Sequence, residues 1–197
     1  MNNFNNNINH YEYENDIYNK RDYYINIRPR IIVEFENNGK KFKSKCKIDT
    51  GSTLTIISKI CRENLFTNLN KYHDNLLNKL EKLKNKNKPE NYIEIELNKE
   101  LINKYKIDNC KIIHRKSPIK HRNYFIYLLK IDRLTFINKE GNPLISIKNH
   151  IEAAPFEIES LNIIPQIGMN TLRFLTKIEI TELKTKIYWN KNIHKDQ

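Results

Sequence analysis

The chain has 197 residues, 39% of them hydrophobic and 29% charged, with 35 Lys plus Arg against 23 Asp plus Glu and a formal net charge of +12. That length suits one domain. Four Gly and six Pro exclude collagen-like and Gly-rich low-complexity classes, and Ile, Leu, Val, Phe and Tyr spread along the chain exclude wholesale disorder.

No stretch approaches the roughly 20 apolar residues that span a bilayer. Met1 to His10 is Asn-rich and lacks the apolar segment of a secretion signal, so the expectation is a soluble, cytoplasmic protein with no membrane partner. Cys46, Cys61 and Cys110 are odd in number and widely spaced, which argues against a disulfide framework and structural zinc. The excess Lys accompanies an excess of Asn and Ile, the mark of an AT-rich coding sequence. The basic residues are scattered rather than blocked, so nucleic acid is not expected as a partner.

Residues 1 to 28 show no sustained period and read as a flexible N-terminal arm; a domain over 29–190 and a C-terminal tail over 191–197 follow. Arg30 to Glu36 is a β-branched run, and Lys40 to Ile48 alternates Phe42, Ser44, Cys46 and Ile48 against lysines. Asn38-Gly39 between them predicts a hairpin with a type I′ turn. Thr53 to Ser58 predicts a third strand. From Arg62 to about Asn85, Leu65, Leu69, Tyr72, Leu76, Leu80 and Leu83 recur at spacings of three and four, which predicts an amphipathic helix within a helical insertion over about 62–106. Tyr92 to Leu97 alternates as a short strand. Strands return at Lys111 to Ile113, Tyr124 to Ile131, Leu134 to Ile137 and Leu144 to Ile151, with a turn at Glu140-Gly141-Asn142-Pro143. An apolar segment over Leu161 to Gly168 leads into a short helix from Met169 to Leu175, with Leu172 and Leu175 inward. Ile178 to Ile180 and Lys186 to Trp189 close the chain as a hairpin. The fold class is mainly β.

The stretch with chemistry is Asp49-Thr50-Gly51-Ser52, between two apolar runs. A carboxylate there is costly unless donors surround it. Thr50 supplies a hydroxyl, Gly51 lets the backbone turn its N–H toward the acid, and Ser52 offers a second donor to the outer oxygen. The plain alternative is a turn formed by propensity alone. A second segment, Ile167-Gly168-Met169-Asn170-Thr171-Leu172, follows late in the chain.

The two segments in this order resemble the retropepsin-like aspartic proteases, the single-lobe family of retroviral, retroelement and stand-alone enzymes. The resemblance covers roughly residues 30 to 60 and 120 to 190. It implies a closed, barrel-like β lobe, with Asp49 as the catalytic carboxylate and Thr50 bonding across a dimer. It further implies that Gly51 and Ser52 shape the site, that Gly168 packs behind the loop, and that Asn170 hydrogen-bonds near Thr55. The family's flap is a glycine-rich hairpin, whereas Lys111 to Phe125 contains no Gly.

Counting points the same way. Peptide hydrolysis by this route uses two carboxylates that share one proton around a water, one as base and one as acid. Of seven Asp residues only Asp49 has a Thr-Gly setting, so one chain supplies half a site and a C₂ homodimer completes it. The expected activity is an aspartic endopeptidase acting on peptide or protein substrates without cofactor or metal. The alternatives are a binding or dimerisation module that kept the lobe and lost turnover, and a basic nucleic-acid-binding protein.

The other candidates carry less. No two of the six His residues share helical metal spacing, and no phosphate-cradling Gly motif exists. Cys61 and Cys110 read as buried thiols and Trp189 as packing. The cluster His114, Arg115, Lys116, Lys120, His121 and Arg122 reads as a solvated loop, with a cleft for acidic peptides as the alternative.

Overall fold

The computed structural model describes residues 8–19, 25–116, 123–156, 165–181 and 183–190. Strands β4 (Arg30–Asn37) and β5 (Lys40–Ile48) form the expected hairpin, in register Ile31↔Cys46 and Phe35↔Phe42. Asn38 and Gly39 have φ of 50° and 72°, the two left-handed positions a type I′ turn requires. Alternation along β4 buries Ile31, Val33 and Phe35 completely.

Strand β6 (Cys110–Lys116) precedes β7 (Asn123–Ile137), a single strand where the sequence suggested two, and β8 (Pro143–Pro155) follows. One edge of β7 pairs first with β6 and then with β4, while its other edge pairs with β8 from Ile126 onward. The short β9 (Gln166–Ile167) lies parallel to β5. The order is therefore β6-β7-β4-β5-β9, with β8 on β7.

The expected closed barrel is not found among the described residues. Thr53 to Ser58, read as a third strand, contributes only single bridges from Ile56 to Ala153 and to Gln166. The segment divides its backbone groups between partners, Thr55 O and Ile57 N–H bonding Ala153, Ile56 bonding Gln166, and Thr53 O and Thr55 N–H bonding Asn170, so no continuous ladder forms there.

Three helices stand between β5 and β6. Ser58 caps α1 (Lys59–Leu65) by accepting the Cys61 N–H at 3.2 Å. Phe66, at φ −121° and ψ 58°, separates it from α2 (Thr67–Asn85), so the single predicted helix is two. On α2, Leu69, His73, Leu76 and Leu80 are buried. Tyr92 to Leu97, expected as a strand, lies in α3 (Glu90–Lys99), which continues into a π-helical turn over Glu100–Lys104. The period-2 alternation was misleading: Ile93, Leu97 and Leu101 are the buried residues, spaced by four, while Ile95 is exposed. Asn98 then brackets the edge of β6, accepting from Ile112 N–H at 2.8 Å and donating to Ile112 O at 2.7 Å, and Glu94 accepts the His114 N–H. A helix thereby covers a strand edge that would otherwise stand open.

Part of the segment expected to be an arm is sheet. Strand β1 (Ile8–Glu14) pairs along its length with β11 (Lys184–Asn190), which also pairs with β10 (Lys177–Ile180) as the expected terminal hairpin. Tyr13 is buried, and its hydroxyl donates to Ile137 O at 2.9 Å. Strands β2 (Asp16–Asn19) and β3 (Ile25–Arg28) form a separate hairpin. The expected tail over 191–197 lies outside the described residues. No helix among those described is long and apolar enough to cross a membrane.

Candidate active site

Asp49 follows the last residue of β5. Its backbone N–H donates to Ile167 O at 3.0 Å, continuing the parallel β5–β9 contact by one residue, and its own carbonyl accepts the Ser52 N–H at 3.1 Å, closing the turn. Gly51 N–H donates to Asp49 Oδ1 at 3.1 Å. Ser52 does not reach the outer oxygen as expected: its hydroxyl donates to Leu54 O at 2.6 Å, a nearer acceptor within the loop. The outer oxygen is met instead by Gln166: with its amide oriented to satisfy both neighbours, the side-chain N–H donates to Asp49 Oδ2 at 2.7 Å and Oε1 accepts from Lys47 Nζ at 3.2 Å. Lys47 Nζ lies 3.7 Å from the same Oδ2. The Asp49 side chain retains 32% of its exposure, and Thr50 is exposed.

The loop is tied to α4 (Met169–Leu172) from below. Met169 N–H donates to Ser52 O at 2.8 Å and Asn170 N–H to Thr53 O at 3.1 Å, so the loop supplies acceptors for donors a helix start cannot pair internally. Gly168 explains how the two can be so close. A Cβ there would sit 2.4 Å from both the carbonyl carbon and the oxygen of Leu54, and 2.9 Å from Ser52 O.

At the centre is the hydroxyl of Thr55, which is fully buried. It donates to Asn170 Oδ1 at 3.0 Å, accepts the Gly168 N–H at 3.1 Å and meets Thr171 Oγ1 at 2.6 Å; Thr55 N–H also donates to Asn170 Oδ1, at 2.7 Å. Each hydroxyl has one proton, so the chain runs one way. Thr55 gives its proton to Asn170 and Thr171 gives its own to Thr55, while His150 Nε2 lies 2.7 Å from Thr171 Oγ1 and 3.2 Å from Asn170 Nδ2. Asn170 Nδ2 donates to Ile151 O at 2.8 Å. Glu152 Oε1 lies 3.1 Å from His150 Nε2, and the whole Glu152 side chain is excluded from solvent. Burial pushes its carboxyl up from 4.5 to about 7, against the opposing pull of His150.

The structure thus gathers Asp49, Gly51, Ser52, Thr55, Gly168 and Asn170 in one place and leaves Thr50 at the surface. No family model matches the chain, and no curated protein matches it. Among solved structures the chain is similar to a retropepsin-like aspartic protease from Rickettsia conorii, at 14% identity and a TM-score of 0.42, with 92% of each chain covered.

Sequence reasoning missed Lys47, His150, Glu152, Gln166 and Thr171. Lys47 was visible only as one more lysine on the solvent face of β5, yet that face is shared by Asp49 two residues on. Gln166 is the polar residue in an apolar run, and His150 and Glu152 stand two apart on one strand; both are signals that spacing alone leaves unassigned.

A cavity of about 500 Å³ lies away from this loop, lined among others by Asn38, Lys40, Phe66, Asp108, Lys130 and Asp132. Its volume is in the range of ligand pockets. Its side chains mix both charges and include none of the residues of the Asp49 loop, whereas Asp49 is a carboxylate held by directed donors. His114 packs its ring near Phe125, at 5.5 Å between centroids. Lys120, His121 and Arg122 of the basic cluster, with Ser117-Pro118 of the flap interval, lie outside the described residues. All three cysteines are buried, and burial pushes their thiols up, away from reactivity. Among the described residues no cluster of three or more His, Cys, Asp or Glu could hold a metal ion.

Proposed function

We propose that the chain is one half of an aspartic endopeptidase of the retropepsin-like type, completed by a second copy related by a two-fold axis. The observation that carries this reading is the Asp49 loop bound to α4 through Gly168, Thr55 and Asn170. A lone carboxylate at a strand end costs stability, and a network this specific is warranted where the direction of that carboxylate matters. Asp49 keeps 32% of its side-chain exposure, which suits an acid that meets its twin on an axis.

In the pair, one Asp49 takes a proton from a water held between the two while the other protonates the substrate carbonyl; the roles reverse as the tetrahedral intermediate collapses, with no covalent enzyme intermediate. Thr50, exposed beside the acid, bonds across the two-fold to the partner's loop in this reading. Gly51 holds the carboxylate plane through its N–H, and Ser52, Thr55, Gly168 and Asn170 keep the loop from moving.

Replacing Asp49 with Asn tests this directly. Cleavage of a peptide library at mildly acidic pH should fall by about 10³-fold or more, while sedimentation still shows the dimer. Retained cleavage removes Asp49 from the chemistry.

One observation favours a second reading, a peptide-binding or dimerisation module without turnover. Lys47 and Gln166 occupy Asp49 Oδ2, the position a partner carboxylate or water needs. On that reading the wild-type protein binds peptides and never cleaves them.

A further inference from the structure

Lys47 and Asp49 are two residues apart along one extended segment, so their side chains leave on the same side. The parallel register sets Gln166 directly beside Lys47, while Ile48 and Ile167, also paired, point into the core. One flank of Asp49 is therefore built from an ammonium and a carboxamide in mutual contact: Lys47 Nζ is 3.2 Å from Gln166 Oε1 and 3.7 Å from Asp49 Oδ2. Lys47 keeps only 35% of its side-chain exposure, so its charge is partly withdrawn from water and depends on neighbouring acceptors. Anything that lies over Asp49 lies over this pair.

We propose that Lys47 and Gln166 form a subsite for an acidic side chain, so that the peptides cleaved carry Asp or Glu next to the bond that breaks. The inference rests on Asp49 being the catalytic carboxylate. In the single chain Asp49 itself is the counter-ion of Lys47. Once Asp49 turns to its twin, Lys47 needs another anion, and a substrate carboxylate fills that place with the Gln166 amide as a second donor. An apolar side chain there strands the ammonium, and a basic one sets two cations together. Because a two-fold dimer repeats the subsite, the preference extends to both sides of the bond.

The test is a set of peptides identical except for Glu, Gln or Lys at the positions flanking the cleaved bond, assayed with the full chain. Wild type should prefer Glu by about tenfold in kcat/KM. Lys47→Met, which keeps the stem and drops the charge, should bring the ratio near one. Gln166→Leu should reduce it part of the way, and Lys47→Glu should turn the preference toward Lys-flanked peptides; circular dichroism checks that each variant folds. Cleavage by wild type without a Glu preference, or a preference that survives in Lys47→Met, overturns the subsite and leaves the proteolytic reading standing. If wild type cleaves none of the peptides, the proteolytic reading falls and takes the subsite with it.

Discussion

The junction of the Asp49 loop with α4 and the flank made by α2 and α3 are fixed by different forces. At the junction one buried hydroxyl, Thr55 Oγ1, meets Asn170, Gly168 and Thr171 within 3.1 Å. On the flank the buried groups are mostly apolar, Leu76, Leu80, Ile93 and Leu97, with one buried polar contact from His73 to the Tyr127 hydroxyl at 2.8 Å, and further polar contacts lie nearer the surface, as where Lys79 reaches Glu100 at 2.7 Å. Apolar burial is strong but non-directional, so it holds the helices against the body without prescribing any atom's position. Hydrogen bonds add little net stability each, yet they specify direction, which is what a working carboxylate requires.

The two regions should therefore fail differently. The largest effect is expected on the flank: Leu76→Ala empties a fully buried site and should cost about 4 kcal/mol in urea unfolding, with the amide resonances of Gly51 and Gly168 unmoved. Movement of those resonances would show that the regions are coupled. Gly168→Ala should cost about 3 kcal/mol, because its methyl meets the Leu54 backbone rather than a side chain that can turn away. Here the same resonances should shift and peptide cleavage should be lost.

Acidity separates the regions further. Burial lifts the Glu152 carboxyl from 4.5 to about 7, so the folded state keeps a proton that the unfolded state releases. Stability is full below pH 4.5, declines as the pH rises toward 7 and levels off above, a total of about 3 kcal/mol. Glu152→Gln should flatten that decline, whereas Leu76→Ala should lower the whole curve without changing its shape. The smallest effect belongs to Thr55→Val, about 1.5 kcal/mol. It keeps the shape of the side chain while leaving Gly168 N–H and Thr171 without their partner, and Thr55→Ser should recover most of the loss. A valine variant as stable as wild type would mean that the network directs nothing.

Much of the scaffold was legible because its signals are local. The Asn38-Gly39 hairpin, the stripe on α2, the terminal hairpin and the short helix at Met169 each follow from neighbours in sequence. Tyr92 to Leu97 was misread because six residues of alternation suit a strand edge and a helix face alike; the spacing of Ile93, Leu97 and Leu101 decides only when the continuation is included. Strand β1 was hidden because its partner, β11, lies at the far end of the chain. Of the site, the residues bearing the two motif segments were visible, but the turn of Ser52 toward Leu54 was not.

From residue order alone came a mainly β chain with one acid in a Thr-Gly turn, since turn geometry and alternation depend on a few consecutive residues. Which groups surround that acid was settled by tertiary contact. Lys47 and Gln166 stand 119 positions apart, and Thr55, His150 and Thr171 are equally scattered. They meet because β9 aligns with β5 and Gly168 lets α4 close on the loop, and that proximity follows from packing rather than from local preference.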